Sequence, residues 1–185
     1  MRLFTAVLPP AAVTDPLLTE VTALRKAGVG DPDGSGHWTD PAGWHLTLTF
    51  LGEVPDPAVP DLVAALEAVG AAHAPFASVL RGAGVFGGRS LWAGVGGDVA
   101  SLTALAAAGR SAAEATGVPA DAHTTFTPHL TLARLPDPEP ARAALEEWEG
   151  REWTVPEFAL VRSRLRDGDE PGPRYEALAR LPLIG

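Results

Sequence analysis

An α+β fold in two matching halves is what the sequence predicts, and three observations predict it. Strand-like and helix-like segments alternate along the chain. No linker long enough to separate independent domains interrupts them. The tetrapeptide His-Leu-Thr-Leu occurs twice, at His45 to Leu48 and at His129 to Leu132, and 129 − 45 = 84 residues is close to half of a 185-residue chain. Residues 1–185 therefore read as one domain made of two pseudo-symmetric lobes.

The elements follow in order. Arg2 to Leu8 is an apolar run ended by Pro9-Pro10, which suits a strand. A helix is expected from about Asp15, with Pro16 in its first turn and Leu17, Val21 and Leu24 on one face. Gly28 to Gly43 clusters Gly, Asp, Pro and Ser and reads as a loop. Trp44 to Leu51 is a strand. Asp56 then caps a helix with Pro57 at its first position, and Val59, Leu62, Val63, Leu66 and Val69 follow at helical spacing. Phe76 to Leu80 and Ser90 to Val95 read as a hairpin with glycines between them. Asp98 caps the next helix, which carries Leu102 and Leu105 and ends near Gly117. Thr125 to Arg134 is again a strand, and Asp137-Pro138 starts a short helix through Leu145 and Trp148. Glu152 to Leu165 and Arg174 to Leu183 are two closing strands around the loop Asp167 to Pro173.

Composition narrows the function classes. Hydrophobic residues at 46% and charged residues at 20% are those of a soluble globular chain. With no cysteine there is no disulfide framework, thiolate nucleophile or Cys-ligated zinc. No secretory signal and no membrane-length apolar stretch are present, so a cytoplasmic location is expected. The net charge of −9, with Lys26 the single lysine, argues against a broad grip on long RNA or DNA, which needs Lys and Arg to neutralise phosphates. A nucleic-acid substrate would be an end or a short piece.

Strand geometry explains the repeated motif. Residues i and i+2 share a face, so His45 with Thr47, and His129 with Thr131, would face a polar cleft while the intervening leucines enter the core. If the halves pack about a pseudo-twofold axis, the two His-Thr pairs converge. Such a site suits displacement at phosphorus without a metal. Imidazole, with an ordinary pKa of ~6.5, serves as base or acid, and threonine hydroxyls hydrogen-bond the non-bridging oxygens where charge builds. Arg134 is a candidate phosphate clamp, but five residues from His129 its strand parity is opposite, so a twist or bulge must bring it in. Either His-x-Thr alone would be an ordinary structural histidine; two identical copies at corresponding points favour function. Zinc is disfavoured, because His-Glu-x-x-His is absent and no carboxylate stands at ligand spacing in either motif. No metal and no cofactor is expected.

The paired motif resembles those of the 2H phosphoesterase superfamily, and the likeness extends to its RNA 2′,3′-cyclic phosphodiesterase (2′-5′ RNA ligase-like) family. Arg2-Leu3-Phe4 with Leu8-Pro9, Trp44 to Gly52 (WHLTLTFLG), Leu91 to Val95, Phe126 to Arg134 (FTPHLTLAR), and Ser163, Leu165, Tyr175 and Leu181-Pro182-Leu183 carry it over nearly the whole chain. Gly43-Trp44 departs from an Asn-Leu pair frequent in the family. The resemblance implies a bilobal fold: two antiparallel β-sheets facing a central cleft, with helices outside. It implies metal-independent hydrolysis of RNA 2′,3′-cyclic phosphate ends to 2′-phosphates, with His45 the proton donor, His129 the proton acceptor, and Thr47, Thr131 and Arg134 at the phosphate. The expected partners are RNA ends or small cyclic nucleotides, with no membrane and a monomeric chain. The alternatives are the same site on an ADP-ribose cyclic phosphate or a 2′-5′ oligonucleotide, RNA ligation in reverse, or a non-catalytic RNA-end binder.

Phe50 and Phe126 flank the motifs and are candidates for stacking on a base, with a core role the plainer alternative for each. Trp44 and Trp92 read as core or lobe-interface residues, and His37 and His123 as surface residues near the cleft mouth. His73 reads as a helix C-terminal residue, and Glu146, Glu147 and Glu149 as a solvated face on a short helix.

Overall fold

The computed structural model describes residues 1–120, 125–164 and 175–185. Their strands and helices run β1 (Arg2–Val7), α1 (Ala11–Lys26), β2 (His37–Trp38), β3 (Leu46–Glu53), α2 (Val59–Ala71), β4 (Phe76–Phe86), β5 (Ser90–Gly97), α3 (Val99–Ala115), β6 (His129–Arg134), α4 (Glu139–Ala144), β7 (Trp153–Val155), β8 (Glu157–Ser163) and β9 (Tyr175–Pro182). The strands pair antiparallel in the order β7-β4-β5-β6-β3-β1-β8-β9, with β2 also on β6. Along that path four strands stand on each side of the β6–β3 seam; the second motif opens β6, and the first runs into β3 with His45 one residue ahead of it.

The seam is narrow. One pair, Leu46 with Leu130, joins β3 to β6. Beyond it β2 occupies the edge of β6, with His37 opposite Arg134 and Trp38 opposite Ala133, and the Thr39 N–H donates to the Leu132 carbonyl at 2.9 Å. The far ends are tied as well. β7 pairs with β4 in one half and β8 with β1 in the other, and only Pro156 lies between them. Two peptide steps span at most about 7 Å, so the sheet is strongly curled.

The motif leucines anchor this curl. Leu46, Leu48, Leu130 and Leu132 are all buried in one core, each contributing about 1.5–3 kcal/mol. Helices α2 and α3 pack on each other and on the back of the sheet, and α4 packs on β4 and β5. Asp98 caps α3 as predicted, accepting from the Ser101 N–H at 2.9 Å, and β4 and β5 form the predicted hairpin. No helix among the described residues is long and apolar enough to cross a membrane.

Several boundaries move for physical reasons. Helix α1 begins at Ala11, four residues before Asp15, because the Pro10 carbonyl accepts its first N–H bonds; Pro16 therefore lies inside the helix. Asp56 caps no α-helix. It sits in a 3-10 turn, Asp56–Ala58, with its carboxylate 3.7 Å from the Met1 ammonium, and α2 starts at Val59. The 28–43 segment is not all loop, since it contains β2 and a 3-10 turn at Pro41–Gly43. The strand expected from Glu152 is split at Pro156 into β7 and β8, which join opposite halves. Glu146, Glu147 and Glu149 lie past the end of α4; Glu146 pairs with Arg142 at 3.5 Å and Glu149 with Arg81 at 3.7 Å. Leu165, the Asp167 to Pro173 loop and Arg174 lie outside the described residues.

Candidate active site

The seam sets the site. From the Leu46–Leu130 pair, antiparallel counting (46 + 130 = 45 + 131 = 47 + 129) puts His45 across from Thr131 and Thr47 across from His129. All four side chains line one cleft of about 610 Å³, together with Phe50 and Arg134.

A β-bulge in each motif strand selects what comes next. Leu91 pairs with Ala133, but Trp92 pairs with Thr131, so Leu132 is an extra residue in β6. Leu132 and Ala133 are consequently both buried and Arg134 turns to the cleft. This is the device that the parity of Arg134 requires. In β3 the same slip occurs three residues after His45. Thr5 pairs with Thr49 and Ala6 with Thr47, leaving Leu48 extra. Leu48 and Thr49 are buried, Thr49 Oγ1 donates to the Ala106 carbonyl on α3 at 3.1 Å, and Phe50 emerges into the cleft 49% exposed.

The two imidazoles are oriented alike. Nδ1 of His45 lies 2.7 Å from the Gly43 carbonyl, and Nδ1 of His129 lies 2.8 Å from the Thr127 carbonyl. A carbonyl only accepts, so each Nδ1 carries the proton and each Nε2 is left for the cleft. Aromatic walls hold both rings. His45 packs against Phe4 (4.8 Å between centroids) and edge-on to Tyr175 (5.0 Å). His129 packs edge-on to Phe86 (4.9 Å) and near Trp92 (6.0 Å). Glycines make room for two of these walls. A Cβ on Gly43 would stand 3.0 Å from the Tyr175 ring, and one on Gly84 would stand 2.1 Å from the Trp92 ring. Burial lowers the pKa of His45 below its ordinary value; the bond to the Gly43 carbonyl opposes this, and the charge of His129 adds to the lowering.

Among the described residues no Asp or Glu lines the cleft, while Arg2, His37 and Arg134 do. Among the described residues Arg81, Arg142, Arg164 and Arg180 each face a glutamate, whereas Arg2, His37 and Arg134 have no ion-pair partner. Also among the described residues, no group of three or more His, Cys, Asp or Glu converges as metal ligands would.

The remaining predicted residues distribute plainly. Phe126 is half-buried against the main core and does not line the cleft. Trp44 is buried in that core, while Trp92 stands beside His129. His73 bonds the Val69 carbonyl at the end of α2, 2.8 Å away. His123 lies outside the described residues. Sequence reasoning did not place Phe4, Tyr175 or Arg2 at the site. The alternation Arg2-Leu3-Phe4 on β1 was the available signal for two of them. His37, read as a surface residue near the cleft mouth, lines the cleft from β2.

Paired His-x-Thr strands at the seam of a curled antiparallel sheet define a 2H phosphoesterase. The chain belongs to the 2′-5′ RNA ligase superfamily, whose family model matches residues 13–167. It is 34% identical to an RNA 2′,3′-cyclic phosphodiesterase of Thermus thermophilus, over all of this chain and 91% of the relative. It is 33% identical to one of Geobacillus stearothermophilus over 92% of this chain, and there it spans just over half of the relative's length, 56%. Escherichia coli LigT complexed with 3′-AMP superposes with a TM-score of 0.73 at 27% identity, covering 100% of this chain and 98% of LigT.

Proposed function

We propose that the chain hydrolyses RNA 2′,3′-cyclic phosphate ends to 2′-phosphates by metal-independent acid–base catalysis. It acts as a monomeric cytoplasmic domain of two pseudo-symmetric lobes. The observation that carries the reading is the crossed arrangement at the seam, where each histidine, its Nδ1 tied to a carbonyl, faces the threonine of the other strand.

In this reaction His129 Nε2 takes a proton from water as the water oxygen bonds to phosphorus. The bond from phosphorus to the 3′ oxygen breaks, and His45 Nε2 donates its proton to that oxygen, leaving a 3′-hydroxyl and a 2′-phosphate. Thr47 and Thr131 donate to the non-bridging oxygens, and Arg134 adds a guanidinium. Phe50 offers a face to the terminal base. The desolvated surroundings of His45 make its imidazolium a stronger acid than free histidine, which suits the donor. The bound phosphate's negative charge favours the protonated form at the start of the reaction. The division of labour rests on the family resemblance, and the lowered proton affinity of His45 is consistent with it.

The test is turnover of nucleoside 2′,3′-cyclic phosphates, with the product regiochemistry read by phosphorus NMR. We expect the 2′-phosphate, activity persisting in chelator, and losses of ~10²–10⁴-fold in folded His45→Ala and His129→Ala. An ADP-ribose cyclic phosphate and a 2′-5′-linked dinucleotide serve as competing substrates. Failure to open any cyclic phosphate, or activity surviving both substitutions, refutes the proposal.

A further inference from the structure

Beyond the catalytic pair, the cleft continues along β6 into a row that the reaction above does not use in full. Arg134 lies between two cross-strand partners, His37 on β2 and Ser90 on β5. Directly opposed residues of an antiparallel pair project on the same face, and all three line the cleft. Their place along the strand is fixed. Arg134 stands three residues past Thr131 on a bulged strand, an advance of roughly 7–10 Å, which is the reach of about one nucleotide. β2 is held firmly: Trp38 packs against the core from its other face, and Thr39 bonds the bulge residue Leu132. Arg134 is also uncompensated among the described residues. Among the described residues, Arg134 and His37 lack an ion-pair partner and no carboxylate lines the cleft, in a chain with 23 acidic and 14 basic side chains.

We propose that His37, Arg134 and Ser90 form a second phosphate subsite, which receives the phosphate on the 5′ side of the terminal nucleotide while its cyclic phosphate lies between His45 and His129. The subsite rests on the cyclic-phosphate reading above and deepens it. It makes the protein prefer ends that carry a 5′-phosphate or a preceding nucleotide over a bare nucleoside cyclic phosphate. His37 and Ser90 supply single donors, and Arg134 supplies the fork that reaches between the two phosphates.

The experiment compares kcat/KM for adenosine 2′,3′-cyclic phosphate, its 5′-phosphorylated form and a dinucleotide with the same cyclic end. The wild type is expected to favour the 5′-phosphorylated compound by ~10-fold or more, the size of one charge-assisted contact. In His37→Ala and His37→Gln that preference falls toward one, and in His37→Arg it is kept. Calorimetric affinities for adenosine 2′-phosphate with and without a 5′-phosphate give the same ratio without turnover, so the subsite is judged even if no cyclic phosphate is opened. A wild-type ratio near one in both measurements overturns the subsite, as does a ratio that neither His37 substitution changes. A gain from the dinucleotide alone also overturns it, because the second base would then be what is held. Loss of turnover with the affinity ratio intact would overturn the hydrolytic reading and leave the subsite standing.

Discussion

The two motif strands share a tetrapeptide and a bulge after it, yet they do different work. β3 and β6 each present His and Thr to the cleft, bury two leucines, and bulge three residues after the histidine. What the bulge delivers differs: Thr49 then Phe50 in β3, Ala133 then Arg134 in β6. One strand carries an aromatic face out of the seam and the other a guanidinium. Their histidines have different walls, Phe4 and Tyr175 for His45 and Phe86 and Trp92 for His129, and burial lowers the proton affinity of His45. The repeat fixes positions, and the non-repeated neighbours fix chemistry.

The largest effect that probes this contrast is at the two bulge-delivered side chains. Arg134→Ala should cut kcat/KM by about 10–100-fold whatever the base, the scale of charge-assisted bonds of about 1.5–3 kcal/mol. Phe50→Ala should cost roughly 10-fold, chiefly in KM, and should cost nothing with a ribose cyclic phosphate that lacks a base. Equal losses on the base-free substrate would erase the distinction between the strands.

The glycines under the aromatic walls come next. Gly84→Ala drives a methyl into Trp92 at 2.1 Å and should destabilise by about 1–3 kcal/mol in urea unfolding. Gly43→Ala meets Tyr175 at 3.0 Å, so a smaller loss of stability is expected. Its effect should show instead in the NMR titration of His45, whose pKa rises toward ~6.5 as the Tyr175 wall lifts. An unmoved titration would mean that the wall does not govern that ring.

The lowered pKa of His45 also has a thermodynamic sign. The unfolded chain binds this proton more tightly, so below ~6.5 the unfolded state carries more of it. The stability associated with neutral His45 is full above that pH and declines as pH falls through it, levelling off below the lowered native pKa. Urea midpoints at pH 7.5 and 5.5 should therefore diverge more for the wild type than for His45→Asn, and identical divergence would contradict the shift. The smallest effect is expected at Thr49→Val, which strips the Ala106 carbonyl of its hydrogen bond and should cost about 1 kcal/mol, a melting shift of roughly 2–4 °C.

Much of the arrangement was legible because it is local. The period-two placement of His45, Thr47, His129 and Thr131 requires only strand geometry, and Asp98 before an apolar helix requires only capping chemistry. What escaped was set by pairing between distant strands. The bulge at Leu132 exists because β5 and β6 slip past one another, so the parity rule alone could state only that some such bulge was needed. His37 was placed near the cleft mouth, but its pairing with Arg134 depends on the free edge of β6 beyond the seam, which no feature of 28–43 by itself records. Phe126 has the composition of a stacking residue but packs on the core. Pro156 divides one apolar run between opposite halves of the sheet, a division visible only once both halves exist.

That single proline has a mechanical consequence. The halves are joined at the front by the Leu46–Leu130 pair and at the back by one residue between β7 and β8, and the Leu183 N–H bonds the Pro156 carbonyl at 2.9 Å. Joints on both sides of the curl restrict opening about either one alone. The spacing between His45 and His129 is thus set during folding, and the ordering entropy that a closing clamp would lose on binding is already spent when substrate arrives.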